Sequence, residues 1–363
     1  ISEIELKETT GSMVLWDGKA HKRIKSIIKV ILNQLNIGIN VGGYHEIGTG
    51  HIFRQINMME EKPDFNYFFY ITDNHVLAKK VLEEEMVDYT IYGDYEELKK
   101  KILENKIDIF INDILDTDEK LMNSLGNVFT LNYEDRGVGL KTADIVINDM
   151  YPVENYLSYN NVYTGIEYTC IRRDLILFKE SQLNKKVKNI FISFGGSDPS
   201  NFTKMVLDVI IENKVNCECK IIVILGLGYK YDDYIYNNYS KQNIKIYKNV
   251  KNMARLMRKA DFAFTSNGRT ILELSYFRVP SISMAQNDRE QTHIHAKREN
   301  GIIFLGQKNN FTTKDILDNM NLLFNYEVRK NLNECMKNCR EKLLKSNKKI
   351  WDLTLEKYKS KNI

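Results

Sequence analysis

The fold is decided by the stretch IFISFGGSDPSNFTKMVLDVI, residues 190–210. It opens with the mainly apolar run IFISF, which is typical of a parallel strand covered on both faces. Apolar residues then recur at helical spacing from Asn201 onward, so the stretch predicts a strand, a turn and a helix. This is one half of a βαβ unit, and it indicates an α/β protein built on parallel sheets.

The turn within this stretch carries two glycines, Gly195 and Gly196, followed by Ser197 and Asp198. Glycines let backbone amides approach a phosphate closely, and the start of a helix offers unpaired N–H groups and the positive end of its dipole. We therefore expect these four residues to bind a nucleotide. A plain turn, in which Asp198 or Ser200 caps the helix, is the alternative.

The same alternation of apolar runs and amphipathic helices covers most of the chain, in two series. Strand patterns run from NIGINVGG to DIVIND in the first series and from IFISF to IIFL in the second. The lysine-rich break ESQLNKKVKN separates them. This organisation predicts two Rossmann-like domains that face each other across a cleft, with the active site between them.

The chain has 363 residues, which is long enough for more than one hydrophobic core. Helical spacing behind a polar opening predicts an appended helix, or a linker from an upstream module, before the first domain. Long helical patterns close the chain. The predicted limits are 1–35 for the appended segment, 36–180 for the N-terminal domain, 186–325 for the C-terminal domain and 326–363 for the closing helices.

The charge balance is nearly even, with 52 basic and 48 acidic residues and a net charge of +4. This argues against a nucleic-acid partner, because such proteins usually carry a concentrated basic face. No apolar run is long enough to span a membrane, so membrane insertion is not expected. The five cysteines form no CxxC pair, which fits reduced thiols, a cytoplasmic protein and no metal site.

A second polar cluster lies in DFAFTSNGRTILEL, where Ser266, Asn267, Gly268 and Arg269 join a strand to a helix. The carboxyl ends of parallel strands meet at one edge of a sheet, so we expect this cluster to bind the nucleotide as well. Glu273 falls one turn into the helix, where a carboxylate can accept both ribose hydroxyls. A surface salt bridge is the alternative role for Glu273.

The next strand ends in AQNDREQTH, which brings further polar side chains to the same edge of the sheet. Asn287 and Glu290 are expected to bind the substrate there, beside Gln286 and His293. A helix cap is the alternative role for His293.

In the N-terminal domain the stretch EIGTGHIFRQ, which begins at Glu46, joins a strand to a helix. His51 lies at the start of that helix, where the dipole disfavours imidazolium, so we expect a neutral imidazole that can accept a proton. Gly48 and Gly50 leave room for a substrate beside the ring. A histidine that only caps or packs in the turn is the alternative.

The chain resembles the nucleotide-sugar hydrolase of pseudaminic acid biosynthesis and the wider group of spore-coat-polysaccharide-type predicted glycosyltransferases. The resemblance covers residues 36–325 and implies the GT-B fold. It rests on four motifs, namely IGTGHIFR, YTGIEYTCIRRDL, FGGSDPSN and TSNGRTILELSYFRVPSISMAQNDREQTH.

The resemblance implies that a uridine nucleotide binds mainly in the C-terminal domain, with its diphosphate near the two polar turns and its ribose on Glu273. It also implies that His51 activates the water that displaces UDP from the anomeric carbon with inversion. A diphosphate leaves readily when amides absorb its charge, so one base is enough and no cofactor is expected. The implied reaction is hydrolysis of a UDP-linked diacetamido-trideoxyhexose for the synthesis of a nonulosonic acid.

The chain departs from the hydrolase pattern just before the histidine motif, because Asn40 and Gly42 stand where the hydrolase typically has Arg and Asp. Those charged residues help to form the sugar side of the cleft, so the identity of the sugar stays open. Asp113, Glu134 and Asp135 end strands of the same domain, and turn residues are their alternative role. The residues expected on the sugar side are Tyr44, Gly48, Gly50, Arg54, Asp113 and Asp135, in addition to Asn287 and Glu290.

Two other functions remain alternatives. A glycosyltransferase of the same fold would use His51 to deprotonate an acceptor hydroxyl, whereas a non-catalytic module would bind the nucleotide sugar without turnover. In some proteins of the group this module follows a sugar cytidylyltransferase on one chain. Since the first residue here is Ile rather than Met, fusion to or association with such a partner is a further hypothesis.

Overall fold

The computed structural model describes residues 34–43, 49–240, 243–250 and 252–362. Two parallel sheets, each packed between helices, form two Rossmann-like domains, which confirms the predicted α/β architecture. The sheets lie within the predicted limits of residues 36–180 and 186–325. Most of the predicted appended segment (residues 1–33) lies outside the described residues, as do Tyr44 and Gly48.

The first sheet has seven parallel strands in the order β3-β2-β1-β4-β5-β6-β7. Its strands are β1 (Asn36–Val41), β2 (Asn66–Ile71), β3 (Tyr89–Ile91), β4 (Ile109–Asp113), β5 (Phe129–Tyr133), β6 (Ile145–Ile147) and β7 (Val162–Tyr163). The helices between them are α1 (Gly50–Glu61), α2 (Val76–Glu84), α3 (Tyr95–Glu104), α4 (Glu119–Leu125) and α5 (Gly139–Thr142). The short edge strand β7 is the one strand of this sheet that the sequence pattern did not predict.

The second sheet has six parallel strands in the order β10-β9-β8-β11-β12-β13. Its strands are β8 (Asn189–Ser193), β9 (Lys220–Leu225), β10 (Ile244–Lys248), β11 (Phe262–Ser266), β12 (Ser281–Ala285) and β13 (Ile302–Gln307). The helices of this half and of the chain end are α6 (Arg173–Ile176), α7 (Phe202–Glu212), α8 (Asp232–Tyr239), α9 (Met253–Met257), α10 (Thr270–Tyr276), α11 (Asp288–Gln291), α12 (Thr313–Phe324), α13 (Tyr326–Cys335) and α14 (Lys337–Lys361).

The central strands are apolar at successive positions because both of their faces are buried. In β8, Ile190 and Ile192 pack into the core on one face of the sheet, whereas Phe191 packs into the core on the other face. In β4 of the first sheet, Ile109 and Phe110 face opposite cores in the same way. Each domain therefore has two apolar layers, one on each side of its sheet.

The strand order of each sheet reverses beside its first strand, and this reversal determines where a ligand can bind. The reversal lies between β1 and β4 in the first sheet and between β8 and β11 in the second. In open parallel sheets the loops at this point diverge and leave a crevice at the carboxyl ends of the strands. Among the described residues, Thr49 and Gly50 at the start of α1 line one cleft together with the turns that follow β8 and β11, so the two crevices face each other.

Within the part of the chain that the structure describes, two segments cross between the domains. The first crossing is the linker between α6 and β8. The second crossing is α14, which returns from the second domain to the first. Leu343 of α14 packs into a core of the second sheet, whereas Trp351, with no exposed surface, packs into a core of the first. The Trp351 indole N–H donates to the carbonyl of Met58 at 2.9 Å.

Two arginines of the C-terminal helices hydrogen-bond to the linker and so keep the two crossings next to each other. Arg329 of α13 is fully buried and donates to the carbonyls of Asn184 at 2.7 Å and Lys185 at 3.0 Å in the linker. Arg340 of α14 donates to the carbonyl of Phe178 at 3.3 Å, in the same linker. Within the described ranges, none of the helices combines the length and the apolar character that crossing a membrane requires.

Candidate active site

The cleft between the sheets has a volume of about 290 Å³ and is lined by both domains. It brings together most of the residues that the sequence motifs predicted. The predicted residues in its wall are Gly50, His51, Arg54, Gly195, Gly196, Ser197, Ser266, Gly268, Arg269, Glu273, Asn287 and Glu290. Four others, Asp113, Asp135, Asp198 and Asn267, lie behind the wall.

His51 is the second residue of α1, and its side chain lies in the cleft wall with 8% of the residue exposed. Its Nδ1 lies 2.5 Å from Oδ1 of Asp113, at the end of β4. A carboxylate oxygen only accepts, so the hydrogen is assigned to Nδ1 and the lone pair to Nε2. Among the described residues, no hydrogen-bond partner occupies Nε2, which leaves it available to a ligand.

Three residues of α1, namely His51, Arg54 and Gln55, hydrogen-bond to the side chain of Asp113. Arg54 donates to it through Nε at 2.7 Å and also through Nη2, and Gln55 donates through Nε2 at 2.6 Å. The same Nη2 lies 2.9 Å from Nδ1 of His51, because both nitrogens point at one carboxylate oxygen. Burial alone would raise the pKa of Asp113, but the charge of Arg54 and the hydrogen bonds from Arg54 and His51 hold it well below its usual range. Asp113 is therefore an ionised acceptor that orients the imidazole.

Glu134 links the two domains beneath the cleft. It accepts from Nη1 of Arg54 at 2.6 Å and from Nη2 of Arg269, in the second domain, at 2.6 Å. Burial would raise its pKa, but Arg54 lowers it below the usual value, so this carboxyl is also ionised. Asp149 completes the group, since Arg269 donates to its two oxygens at 3.1 and 3.2 Å.

A second arginine of the C-terminal domain, Arg289, reaches across to the first. It donates to the hydroxyl of Tyr151 at 2.6 Å and to Asp116 at 3.0 Å, and it contacts the carbonyl of Glu134. The sequence analysis did not single out Asp149 or Arg289. Asp149 ends the strand pattern DIVIND, and Arg289 lies inside AQNDREQTH. Both positions follow the carboxyl end of a strand, which is the sequence feature that could have identified them as site residues.

The glycine turn after β8 offers backbone donors to the cleft. Gly195 has a positive φ of 81°, and the amides of Gly196 and Ser197 donate no hydrogen bond to another described residue. The turn packs tightly against the loop after β9, where a β-carbon on Gly226 would lie 2.3 Å from the Gly196 carbonyl oxygen. Free amides in this conformation form a site for an anion.

The first amides of α7 were expected to face a phosphate, but the side chain of Asp198 binds them. The Asp198 carboxylate accepts from the amides of Phe202 at 2.9 Å and Thr203 at 2.8 Å, and from Gln286 at 2.8 Å. These two helix amides are thus satisfied internally and face the carboxylate, not the cleft. The alternative role for Asp198, a helix cap, is the one that the structure contains, and only the loop amides remain for a phosphate.

Two further predicted residues shape the site from behind. Asp135 accepts from the Thr117 hydroxyl at 2.6 Å, from Asn132 at 2.7 Å and from the Gly137 amide at 2.7 Å, so its carboxylate is used within a turn. Asn267 is buried, and its amide donates to the carbonyl of Glu290 at 2.8 Å. Neither side chain lines the cleft. Both are turn residues here, which is the alternative weighed for Asp135.

Two carboxyls in the wall of the second domain have raised pKa values. Burial raises the pKa of Glu273 to about 7 against the opposing charge of Arg172, and burial likewise raises that of Glu290 to about 7. Glu290 accepts from the amide of Gln286 at 2.9 Å. The second domain also contributes apolar residues to the wall, which no sequence motif indicated, namely Ile224, Leu225, Leu227, Val250 and Met253.

Across the described ranges, no group of three or more His, Cys, Asp or Glu side chains is arranged to hold a metal ion. The carboxylates of Asp113 and Glu134 are instead paired with arginines, and that of Glu290 accepts from a backbone amide. The cleft thus contains an oriented imidazole on one side and free backbone amides with an arginine on the other.

Comparisons with known proteins agree with this architecture. No protein-family model matches the chain. An uncharacterized protein of Methanocaldococcus jannaschii is 32% identical over 279 residues, which are 71% of this chain and 57% of that protein. The spore coat polysaccharide biosynthesis protein SpsG of Bacillus subtilis is 23% identical over 269 residues, or 70% of this chain and 79% of that protein. The chain therefore spans little more than half the length of the archaeal relative.

Similarity to solved structures identifies the fold. MurG of Acinetobacter baumannii has a TM-score of 0.60 at 13% identity, covering 89% of this chain and 99% of that one. HepE of Anabaena, solved in complex with UDP and glucose, has a TM-score of 0.53 at 11% identity, covering 89% and 100%. At such identities the likeness shows the fold, so the chain has the GT-B fold of glycosyltransferases.

Proposed function

We propose that the protein is a nucleotide-sugar enzyme that cleaves the bond between the anomeric carbon and the diphosphate of a UDP-sugar, with His51 as the base. The observation that carries this proposal is the geometry of His51. Its Nδ1 is fixed on the ionised Asp113, and its Nε2 lies in the same cleft as the free amides of Gly196 and Ser197. A fixed base opposite an anion site is the arrangement that substitution with a diphosphate leaving group requires.

The nucleotide fits the second domain by its chemistry. The free amides of the glycine turn supply donors for a diphosphate, and Ser266 and Gly268 line the adjoining wall. Arg269 adds only the N–H groups that Glu134 and Asp149 do not occupy. Glu273 supplies an acceptor for the ribose hydroxyls. The apolar wall around Val250 suits the face of a nucleobase. HepE, which shares the fold, has been solved with UDP, and this supports a uridine nucleotide here.

The reaction follows from these positions. A hydroxyl group near His51 gives its proton to Nε2 as its oxygen attacks the anomeric carbon, and the bond from that carbon to the diphosphate oxygen breaks. The electron pair leaves with UDP, whose charge the loop amides and Arg269 stabilise. The imidazolium that forms is stabilised by Asp113, as in other histidine–carboxylate pairs. Attack from the side opposite the leaving group inverts the anomeric configuration.

Water is the nucleophile that we propose, with a UDP-linked diacetamido-trideoxyhexose as substrate. His51 is only 8% exposed, which favours a small nucleophile, and the motif IGTGHIFR supports the hydrolase resemblance. Transfer to an acceptor hydroxyl is the second candidate. It is supported by the GT-B fold and by the similarity to SpsG, a protein of spore coat polysaccharide biosynthesis.

The deciding experiment is a panel of UDP-sugars incubated with the protein, with UDP release followed by mass spectrometry. Release without any acceptor supports hydrolysis, whereas release that requires an added acceptor alcohol supports transfer. Binding of UDP-sugars without release of UDP under either condition contradicts the proposed catalysis and leaves a binding module. Cytoplasmic location and a sugar cytidylyltransferase as partner remain predictions.

Substitution of His51 tests the assigned base. We expect His51→Gln to lower kcat by about 100- to 10,000-fold, because that is the usual contribution of a general base, with little change in UDP affinity. Asp113→Asn should lower kcat as well and shift the pH profile, since an amide no longer stabilises the imidazolium. His295→Gln is the matched control, because His295 is buried outside the cleft on Ser275. Undiminished turnover by His51→Gln would refute the role.

A further inference from the structure

His293 is a buried side chain of the cleft wall that the proposed reaction does not use. It is 8% exposed and follows α11 in the second domain. Its Nε2 has no hydrogen-bond partner among the described residues and less than 1 Å² of exposed surface, while the residue itself lines the cleft. A buried polar atom without a partner carries a free-energy cost, so this nitrogen is a place where a ligand group would be stabilised.

The neighbours of His293 determine which tautomer it has. Nδ1 lies 2.7 Å from the carbonyl oxygen of Asn267, and a carbonyl can only accept, so Nδ1 carries the hydrogen. Burial lowers the pKa of His293, which keeps the ring neutral. The atom without a partner, Nε2, is then a hydrogen-bond acceptor.

The ring is also held in place. The side-chain amide of Asn267 donates to the His293 carbonyl at 3.2 Å, and the ring packs edge-on against Tyr151 with centroids 5.1 Å apart. Asn267, expected on the nucleotide, thus anchors the backbone and the ring of His293. A fixed acceptor discriminates between ligands because it cannot turn away when its partner is missing.

The chemistry of the acceptor excludes one part of the ligand and favours another. Phosphate oxygens are acceptors and cannot satisfy Nε2, whereas sugar hydroxyls and amide N–H groups are donors. The neighbouring Glu290 also presents carboxyl oxygens to this part of the wall. The hydrogen-bond donors of the cleft, which are the loop amides and Arg269, therefore suit the diphosphate. The acceptors of the cleft, which are Nε2 of His293 and the carboxyl of Glu290, suit the sugar.

We propose that Nε2 of His293 accepts a hydrogen bond from a hydroxyl or amide N–H group of the sugar, and so selects sugars that carry a donor at that position. This inference rests on the proposed function, because it presumes a nucleotide sugar in the cleft. It adds a specificity residue that acts on the sugar and not on the nucleotide.

The test compares the affinities for UDP and for UDP-N-acetylglucosamine by calorimetry, in the His51→Gln background so that turnover is blocked. We expect His293→Phe, which retains a ring against Tyr151, to weaken UDP-N-acetylglucosamine binding by about tenfold relative to UDP binding. His293→Gln, whose amide oxygen can accept, should lose less. His295→Gln should leave both affinities near those of the background protein.

Each outcome decides between explanations. A ratio of the two affinities that changes less than about twofold in His293→Phe overturns the inference while UDP binding still supports the proposed function. An equal loss of both ligands, with a normal thermal unfolding transition, assigns His293 to the nucleotide and also overturns it. Failure of the background protein and of the unsubstituted chain to bind UDP contradicts the proposed function, and this inference falls with it.

Discussion

Glu273 can make ligand binding depend on pH near neutrality. The side chain is half-buried in the cleft wall, and burial raises its pKa to about 7 although Arg172 opposes the shift. Two ribose hydroxyls donate to a carboxylate but compete with the proton of a carboxylic acid. Binding of a ribose on Glu273 therefore favours the ionised form and lowers the pKa of Glu273 in the complex.

The prediction is that UDP affinity rises with pH through about 7 and that binding releases a proton below this pH. Affinity rises with pH because Glu273 of the free protein is largely protonated at a pH below its pKa, whereas Glu273 of the complex is ionised there. Calorimetry in buffers of different ionisation enthalpy measures the proton release. Glu273→Gln should remove the part of the pH dependence that belongs to Glu273, whereas the contribution of Glu290, whose pKa is also raised to about 7, should remain. If the variant and the unsubstituted chain show the same profile, the ribose is held elsewhere.

At the scale of elements, a row of polar side chains crosses the first sheet where apolar residues would be expected. Asn40, Asn112 and Asn132 occupy paired positions on β1, β4 and β5. Their amides are linked in sequence at 3.3 and 2.9 Å, and Tyr92 and Asp135 bond to the two ends at 3.0 and 2.7 Å. Asn40, which stands where the hydrolase pattern has arginine, is therefore used inside the sheet and does not line the cleft.

We predict that Asn112→Ala lowers the free energy of unfolding by about 1 to 3 kcal/mol, because it leaves buried groups of both neighbouring asparagines without partners. Urea denaturation monitored by circular dichroism measures the change. Asn238→Ala is the matched control, since Asn238 is exposed and bonds only to a carbonyl of its own helix. A midpoint for Asn112→Ala equal to that of the control would show that the row contributes nothing to stability.

Sequence patterns predicted the strands of this sheet except β7, because burial on both faces forces continuous apolar runs. Most of the site residues that they predicted line the cleft, since strand ends gather at one edge. They could not predict that Asp113 lies under His51 or that Glu134 joins Arg54 to Arg269, because those pairs are 62 to 135 residues apart in sequence. Asp198 was ambiguous because the same residue type caps helices and contacts ligands.

At the scale of the whole molecule, α14 joins the two domains through a few large contacts. Trp351 is fully buried, lies edge-on to Phe65 with centroids 5.6 Å apart and bonds to the carbonyl of Met58. This side chain fixes the end of the chain to the helix that carries His51, since Met58 lies on α1. The C-terminal helix is thus part of the support of the first domain.

Trp351→Ala is predicted to destabilise the protein by about 3 to 5 kcal/mol, through a cavity in the core of the first sheet and the loss of the Met58 hydrogen bond. Trp351→Phe retains a ring and should cost less. Thermal unfolding compares the two, and UDP binding by the folded fraction should be retained, because the nucleotide wall lies in the other domain. Equal unfolding temperatures for Trp351→Ala and the unsubstituted chain would contradict this role for α14.

The two adjacent crossings restrict how the cleft can open. A body attached at a single point is free to swivel and twist, whereas one attached at two neighbouring points turns easily only about the line that joins them. Arg329 and Arg340 hold the linker against the C-terminal helices, so those points are neighbours. Separation about that line would also have to break the pairs of Arg269 with Glu134 and Asp149 and the pair of Arg289 with Asp116, which join the domains across the cleft. The two crossings and these pairs together therefore fix the spacing between the loop amides and the imidazole.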